Sequence, residues 1–116
     1  TPLSGSSFGF DFNPTVDRIR VVSDVDQNLR LNPITGGVAF VDGSLAYAAG
    51  DVNAGIDPNA VHSASINNFA GATTTRLYNV DTGLDVLTFQ DPPNGGGSII
   101  TAMSVVIPAP GAAADE

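Results

Sequence analysis

Oxygen-bearing side chains crowd one short stretch of the chain. In Asp51 to Asn59 (DVNAGIDPN), Asp51, Asn53, Asp57 and Asn59 recur at two-residue steps around Gly55. Hard cations such as calcium take about six to eight oxygens from carboxylates, amides and carbonyls on a flexible loop. Asp51, Asn53 and Asp57 are therefore the candidate calcium ligands, and calcium is the one cofactor the residues suggest. The run is not an EF-hand. Gly55 stands where a ligand is expected, Ile56 where the glycine is expected, and no Glu closes the loop. A capped loop that hydrogen-bonds to its own backbone uses the same residue types and is the plainer expectation.

Paired carboxylates offer a second chemistry, since glycoside hydrolysis needs one protonated and one ionised acid across the scissile bond. The candidates are Asp24 with Asp26 and Asp81 with Asp85. Each pair lies at or beside an expected turn, where Asp serves by bonding its own backbone. Glu116 is the single glutamate, and there is no tryptophan to stack a sugar ring. His62 is the single histidine. Ser63 and Ser65 are near it in sequence, but no nucleophile-elbow pattern surrounds them, and a histidine metal site lacks partners. Gly95 to Gly97 is no phosphate loop, because no Lys follows and no helix begins there. The expectation is a chain that is not an enzyme.

Composition narrows the partners. The chain has 116 residues, four Lys plus Arg against twelve acids, and a net charge of -8. All four basic residues are arginines: Arg18, Arg20, Arg30 and Arg76. Such a charge repels phosphate backbones and anionic lipid surfaces, so neither nucleic acid nor membrane is an expected partner. No apolar run is long enough to span a bilayer as a helix. Arg18, Arg20 and Arg76 could recognise anions, but pairing with nearby Asp on polar strand faces is the simpler expectation. Hydrophobic residues at 42% allow one domain with a modest core. Cysteine is absent, which removes disulfides and thiolate metal sites. Thr1 in place of a methionine is what a processed product or an excised fragment would show. Scarce Lys with abundant Thr, Asn, Ser, Gly and Ala fits an exported bacterial protein, extracellular or at the cell surface.

Short strands must position these groups. Thirteen glycines and eight prolines punctuate runs of period-two alternation. Phe8, Phe10 and Phe12 alternate with Gly9 and Asp11, and at this spacing the six phenylalanines read as core. Asp17 to Ser23 puts Ile19 and Val21 on one face and Arg18, Arg20 and Val22 on the other. Asn28 to Asn32 puts Leu29 and Leu31 opposite Arg30. Val38 to Val41 reads as a buried strand. Thr73 to Asp81, Leu84 to Gln90 and Ser98 to Ile107 are the later strands. Leu45 to Ala60 is read as loop, with a helical turn allowed around Leu45 to Ala49. The fold class is all-β and antiparallel.

The halves look repeated. DRIRVVSDVDQNLRLNPITGG lies over TTRLYNVDTGLDVLTFQDPPNGG at a spacing of 58 to 59 residues. Arg18 falls on Arg76, Ile19 on Leu77 and Val22 on Val80. The single domain thus divides into repeat 1 (about 8–43), an insertion (about 44–60), repeat 2 (about 61–107) and a tail (108–116). Repeats of this kind suggest two blades of a partial β-propeller, with a β-sandwich as the alternative.

The blocks FGFDFNPTVDRIRVVSD, QNLRLNP, DGSLAYAAGD and ATTTRLYNVDTGLDVLTFQDPPN, in this order, resemble domain of unknown function 4394. The resemblance covers about residues 8–97, and the chain is expected to depart from the family after Gly97. It implies an exported bacterial protein with propeller-like repeats, and it brings no activity and no catalytic residues to any position.

The expected function is therefore that of a non-catalytic structural or adhesive subunit of an extracellular assembly, matrix or filament. The alternatives are a calcium-dependent carbohydrate- or ligand-binding module and a fragment of a secreted enzyme. Ser98 to Ile107 carries apolar residues on both faces, so burial on both sides is expected. Two repeats offer too few strands to supply that cover, and self-association through this segment, in a ring or a filament, is expected.

Overall fold

Alternation sets the strands and Asx chemistry sets the corners. The computed structural model describes residues 1–105, and among these the backbone forms nine strands and no helix. β1 (Phe8–Asn13), β2 (Arg18–Ser23), β3 (Asn28–Leu31) and β4 (Val38–Val41) follow one another as a meander, an antiparallel sheet in the order β1-β2-β3-β4. Asn13 ends β1 by accepting hydrogen bonds from the Thr15 amide and hydroxyl. Asn32 closes β3 in the same way, accepting from the amides of Ile34 and Thr35. Asp17, Asp26, Asn67 and Asp85 take positive φ at the corners, a conformation that Asn and Asp tolerate because their side chains bond locally.

The second sheet repeats the meander and adds an edge. β6 (Ala60–Ser65), β7 (Leu77–Asp81), β8 (Val86–Gln90) and β9 (Ser98–Ser104) pair antiparallel in sequence order. β5 (Ala46–Tyr47) lies parallel to β9, so the sheet order is β5-β9-β8-β7-β6. A strand therefore stands where the sequence allowed a helical turn. Two residues of period-two backbone carry no readable signal, and their pairing with Ser98 and Ile99 is what defines them.

The sheets pack face to face, with β1 and β2 against β6. Gly9 makes the close approach possible: a Cβ there would sit 2.5 Å from the His62 carbonyl carbon and 2.8 Å from the Ser63 nitrogen. Ser65 donates its amide to Asp11 at 2.6 Å across the same seam. Behind it lies the main core, Val22, Leu45, Tyr47, Ala60, Val86 and Ile99, with Leu84 against its rim. The seam is unusually polar, for Arg20, Asn28, Asn79, Asp81, Thr88 and Gln90 are buried there too.

Two expectations about burial are overturned. Gly9, Asp11 and Asn13 turn toward the second sheet, so Phe8, Phe10 and Phe12 point outward and are 39%, 57% and 52% exposed. Phe40 and Phe69 are also exposed. Val38 to Val41 is an open edge strand and not a buried one. Among the described residues β9 buries Ile99, while Ala102, Met103 and Ser104 are exposed, which is what a strand awaiting cover from another chain would show. The expected continuation to Ile107 and the tail 108–116 lie outside the described residues. Among the described residues no helix is long and apolar enough to cross a membrane.

A smaller apolar cluster, Ile19, Val21 and Leu29 with Leu31 packed against it, sits on the outer face of the first sheet. The register places Phe8, Phe10 and Phe12 beside it on one flank and Val38 and Val41 on the other.

Candidate functional site

The buried ionic centre of the molecule is built by β2, β3 and the chain after β4. Alternation brings Arg20 and Arg30 opposite each other across β2 and β3, and Asp42, just past β4, reaches both. Arg20 Nη1 donates to Asp42 Oδ2 at 2.7 Å and to Asn28 Oδ1 at 2.6 Å. Arg30 holds the same carboxylate with Nε and Nη2, both at 2.8 Å, and lies 4.0 Å over the Phe40 ring. Burial pulls the Arg20 guanidinium below its ordinary pKa, against the opposing pull of Asp42. Arg20 Nη2 also donates to the Pro93 carbonyl at 3.2 Å, and Asn28 Nδ2 to the Gly96 carbonyl at 2.9 Å, so the centre ties the first sheet to the loop before β9. Of Arg18, Arg20 and Arg76, the expected Arg–Asp pairing is present at Arg20 alone, and Arg30 shares the same carboxylate. Arg18 instead donates to the Asp17 carbonyl, and Arg76 covers the Phe89 ring at 4.3 Å.

The sequence-predicted calcium ligands divide between two places. Asp51 and Asn53 converge on Thr101 of β9. Asp51 Oδ1 accepts the Thr101 amide at 2.9 Å, Oδ2 accepts its hydroxyl at 2.8 Å, and Asn53 Nδ2 donates to that hydroxyl oxygen at 2.8 Å. Burial raises the Asp51 carboxyl pKa, but bonds from the Asn53 and Thr101 amides and the Thr101 hydroxyl outweigh it and hold the group ionised below the usual range. This clasp fastens the loop after β5 to β9. Asn59 donates to the Thr82 hydroxyl.

Asp57 lies elsewhere, at an acidic corner that sequence spacing did not reveal. It shares a hydrogen bond with Asp26, and Asp81 adds a further negative charge nearby. Burial, then Asp57, then Asp81 push the Asp26 carboxyl up to about 7, and its Oδ1 is buried without a partner. Tyr47 donates its hydroxyl to Asp81 Oδ2 at 2.6 Å, and burial followed by that carboxylate raises the phenol above its ordinary pKa. The carboxylates paired from the sequence are not pairs here. Asp24 accepts from Ser6 and Ser7, which holds its carboxyl below the ordinary range, while Asp81 Oδ1 closes the β7–β8 turn by accepting from Gly83 and Leu84. Among the described residues no three His, Cys, Asp or Glu side chains gather as a metal-holding group. His62 is exposed on β6 beside Ala64, Tyr78 and Val80.

An open groove of about 510 Å³ lies where the β1–β2 turn meets the loop after β6, lined by Asp11, Phe12, Asn13, Asp17, Asn68 and Phe69. Asp11 and Asn13 already serve the fold there, Asp11 by accepting the Ser65 amide and Asn13 by donating to Asn94. Phe12 and Phe69 are open to solvent there, beside the exposed Asp17 and Asn68.

Comparison with known proteins places the chain by family. No curated protein matches it, and no solved structure matches it. The sequence model of a domain of unknown function, DUF4394, matches residues 1–113. The match runs through β9 and most of the tail, which corrects the expectation that the likeness ends at Gly97. With nearly its whole length matched, the chain belongs to the DUF4394 family.

Proposed function

We propose that this chain is a non-catalytic structural or adhesive module, built to be stacked within an extracellular assembly. The observation that carries the reading is the outer face of the first sheet, where Phe8, Phe10, Phe12, Val38 and Val41 stand exposed around Ile19, Val21 and Leu29. Strand spacing and rise give that face a footprint of roughly 300 Å². The largest apolar patch on a typical monomer is about this size and is often functional. In this reading the two meanders are propeller-like blades, whose faces need neighbours. β9 takes part through Ile100 and Met103, which the register aligns with Phe89 and Leu87.

The test is sedimentation of the chain across a micromolar concentration range, with Phe10→Asp as comparison. Phe10 is 57% exposed, so the charge is tolerated by the fold and acts on association. We expect concentration-dependent assemblies from the native chain and monomers from the variant. A native chain that stays monomeric throughout contradicts the proposal.

A further inference from the structure

The internal repeat and the observed packing together define how stacking would proceed. Pairing in the first sheet sets Phe12 opposite Ile19 and Asp11 opposite Arg20. Pairing in the second sets Ser65 opposite Leu77 and Ala64 opposite Tyr78. With Ile19 repeated as Leu77, Ser65 is the counterpart of Phe12, and Ala64 is the counterpart of Asp11. Each sheet thus has a front, carrying Phe12 and Ile19 in one and Ser65 and Leu77 in the other. Each has a back, carrying Asp11 and Arg20 in one and Ala64 and Tyr78 in the other.

The molecule makes one such joint already. The front of the second sheet lies on the back of the first, with the Ser65 amide on Asp11 and Val86 and Ile99 against Val22. Among the described residues two faces have no layer over them. One is the front of the first sheet (Phe8, Phe10, Phe12, Val38 and Val41), and the other is the back of the second (Ala64, Tyr78, Val80, Leu87 and Phe89). They are the two unlike halves of a joint that the chain makes within itself. These residues include no acid, and the back of the second sheet also carries His62 and, over the Phe89 ring, Arg76.

The geometry points to a second copy of this chain as the occupant of both faces, docked head to tail, front of the first sheet on back of the second. This rests on the assembly proposed above and adds its partner and polarity. A front-on-back joint is heterologous, so repeating it either closes a ring or extends a filament. By the internal joint's own rule, Phe12 of one copy falls over Ala64 of the next, as Ser65 falls over Asp11 within the chain.

The chain has no cysteine, so single thiols can report this contact. Phe12 and Ala64 are both exposed, and Phe12→Cys and Ala64→Cys leave the core untouched. The variants are treated with a short bis-maleimide, separately and mixed. We expect cross-linked dimer in the mixture at several times the yield of either variant alone. Phe12→Cys linking to itself as readily as to Ala64→Cys would overturn head-to-tail docking and leave assembly through apolar faces standing. Sedimenting assemblies that give no cross-link in any arm would overturn the proposed joint alone. A chain that neither sediments as assemblies nor cross-links would overturn both readings.

Discussion

Asp26 carries a charge that is costly in the folded chain. Burial and the neighbouring Asp57 and Asp81 lift its folded pKa to about 7, against about 3.8 when the chain is unfolded. Between these values the native state holds a proton that the unfolded state has released. Its contribution to stability is therefore complete below about pH 4 and is lost as pH rises through about 7. Asp26 is partly open to solvent, so screening reduces the effect to about 1–2 kcal/mol. Asp26→Asn should gain about that much at pH 8 and little at pH 4, as read by urea unfolding at the two pH values. Equal gains at both would show that the carboxyl is ordinary. Asp51 behaves oppositely, since its oxygens accept from Asn53 and Thr101 and favour the ionised form. Asp51→Ala should cost about 1–2 kcal/mol through the lost bonds. The loss should be the same with and without EDTA, because those oxygens are spent on β9; a loss that disappears in EDTA would identify a bound cation instead.

At the scale of strands, alternation states which residues share a face and is silent on which face looks inward. Phe8, Phe10 and Phe12 do share one, but Gly9 decides the matter, because bare backbone lets β6 approach more closely than any side chain would. Gly9→Ala should push the sheets apart and cost about 1–3 kcal/mol, the usual range for overpacking, measured as a shift in the urea midpoint at unchanged slope. β2, β3, β4, β7 and β8 were legible because β-branched and aromatic residues alternate between Asx turns. β6 (AVHSAS) was not, because its small polar residues have no strand signature until Asn79 and Tyr78 pair with them. The acidic corner was illegible for another reason. Asp26, Asp57 and Asp81 come from three separate loops and strand ends, and only the fold brings them together. The Arg20–Asp42 pairing could be anticipated by charge, but not its link to the Pro93 carbonyl.

For the whole molecule, the polar seam determines how the two sheets come apart. In most repeat proteins each unit holds much of its own stability and neighbours add to it. Here the division is different. Arg20 and Asn28 belong to the first sheet, yet each donates to a carbonyl of the loop that leads into β9. Gly97 adds a steric interlock, since a Cβ on it would collide with the Gly43 and Ser44 carbonyls. Separating the sheets would exchange these bonds for bonds to water, at a net cost of about 0.5–1.5 kcal/mol each, and would expose the shared apolar core. Thermal unfolding should accordingly be one transition, with calorimetric and van't Hoff enthalpies equal.

That same link sets the grain at which such a chain can be lengthened or shortened in evolution. Arg20 and Asn28 find their acceptors about seventy residues downstream. A duplication or deletion that takes one meander without the other therefore removes the Pro93 and Gly96 carbonyls to which Arg20 and Asn28 donate. The heritable quantum is the pair of sheets, and lineages that add to this architecture should do so by twos.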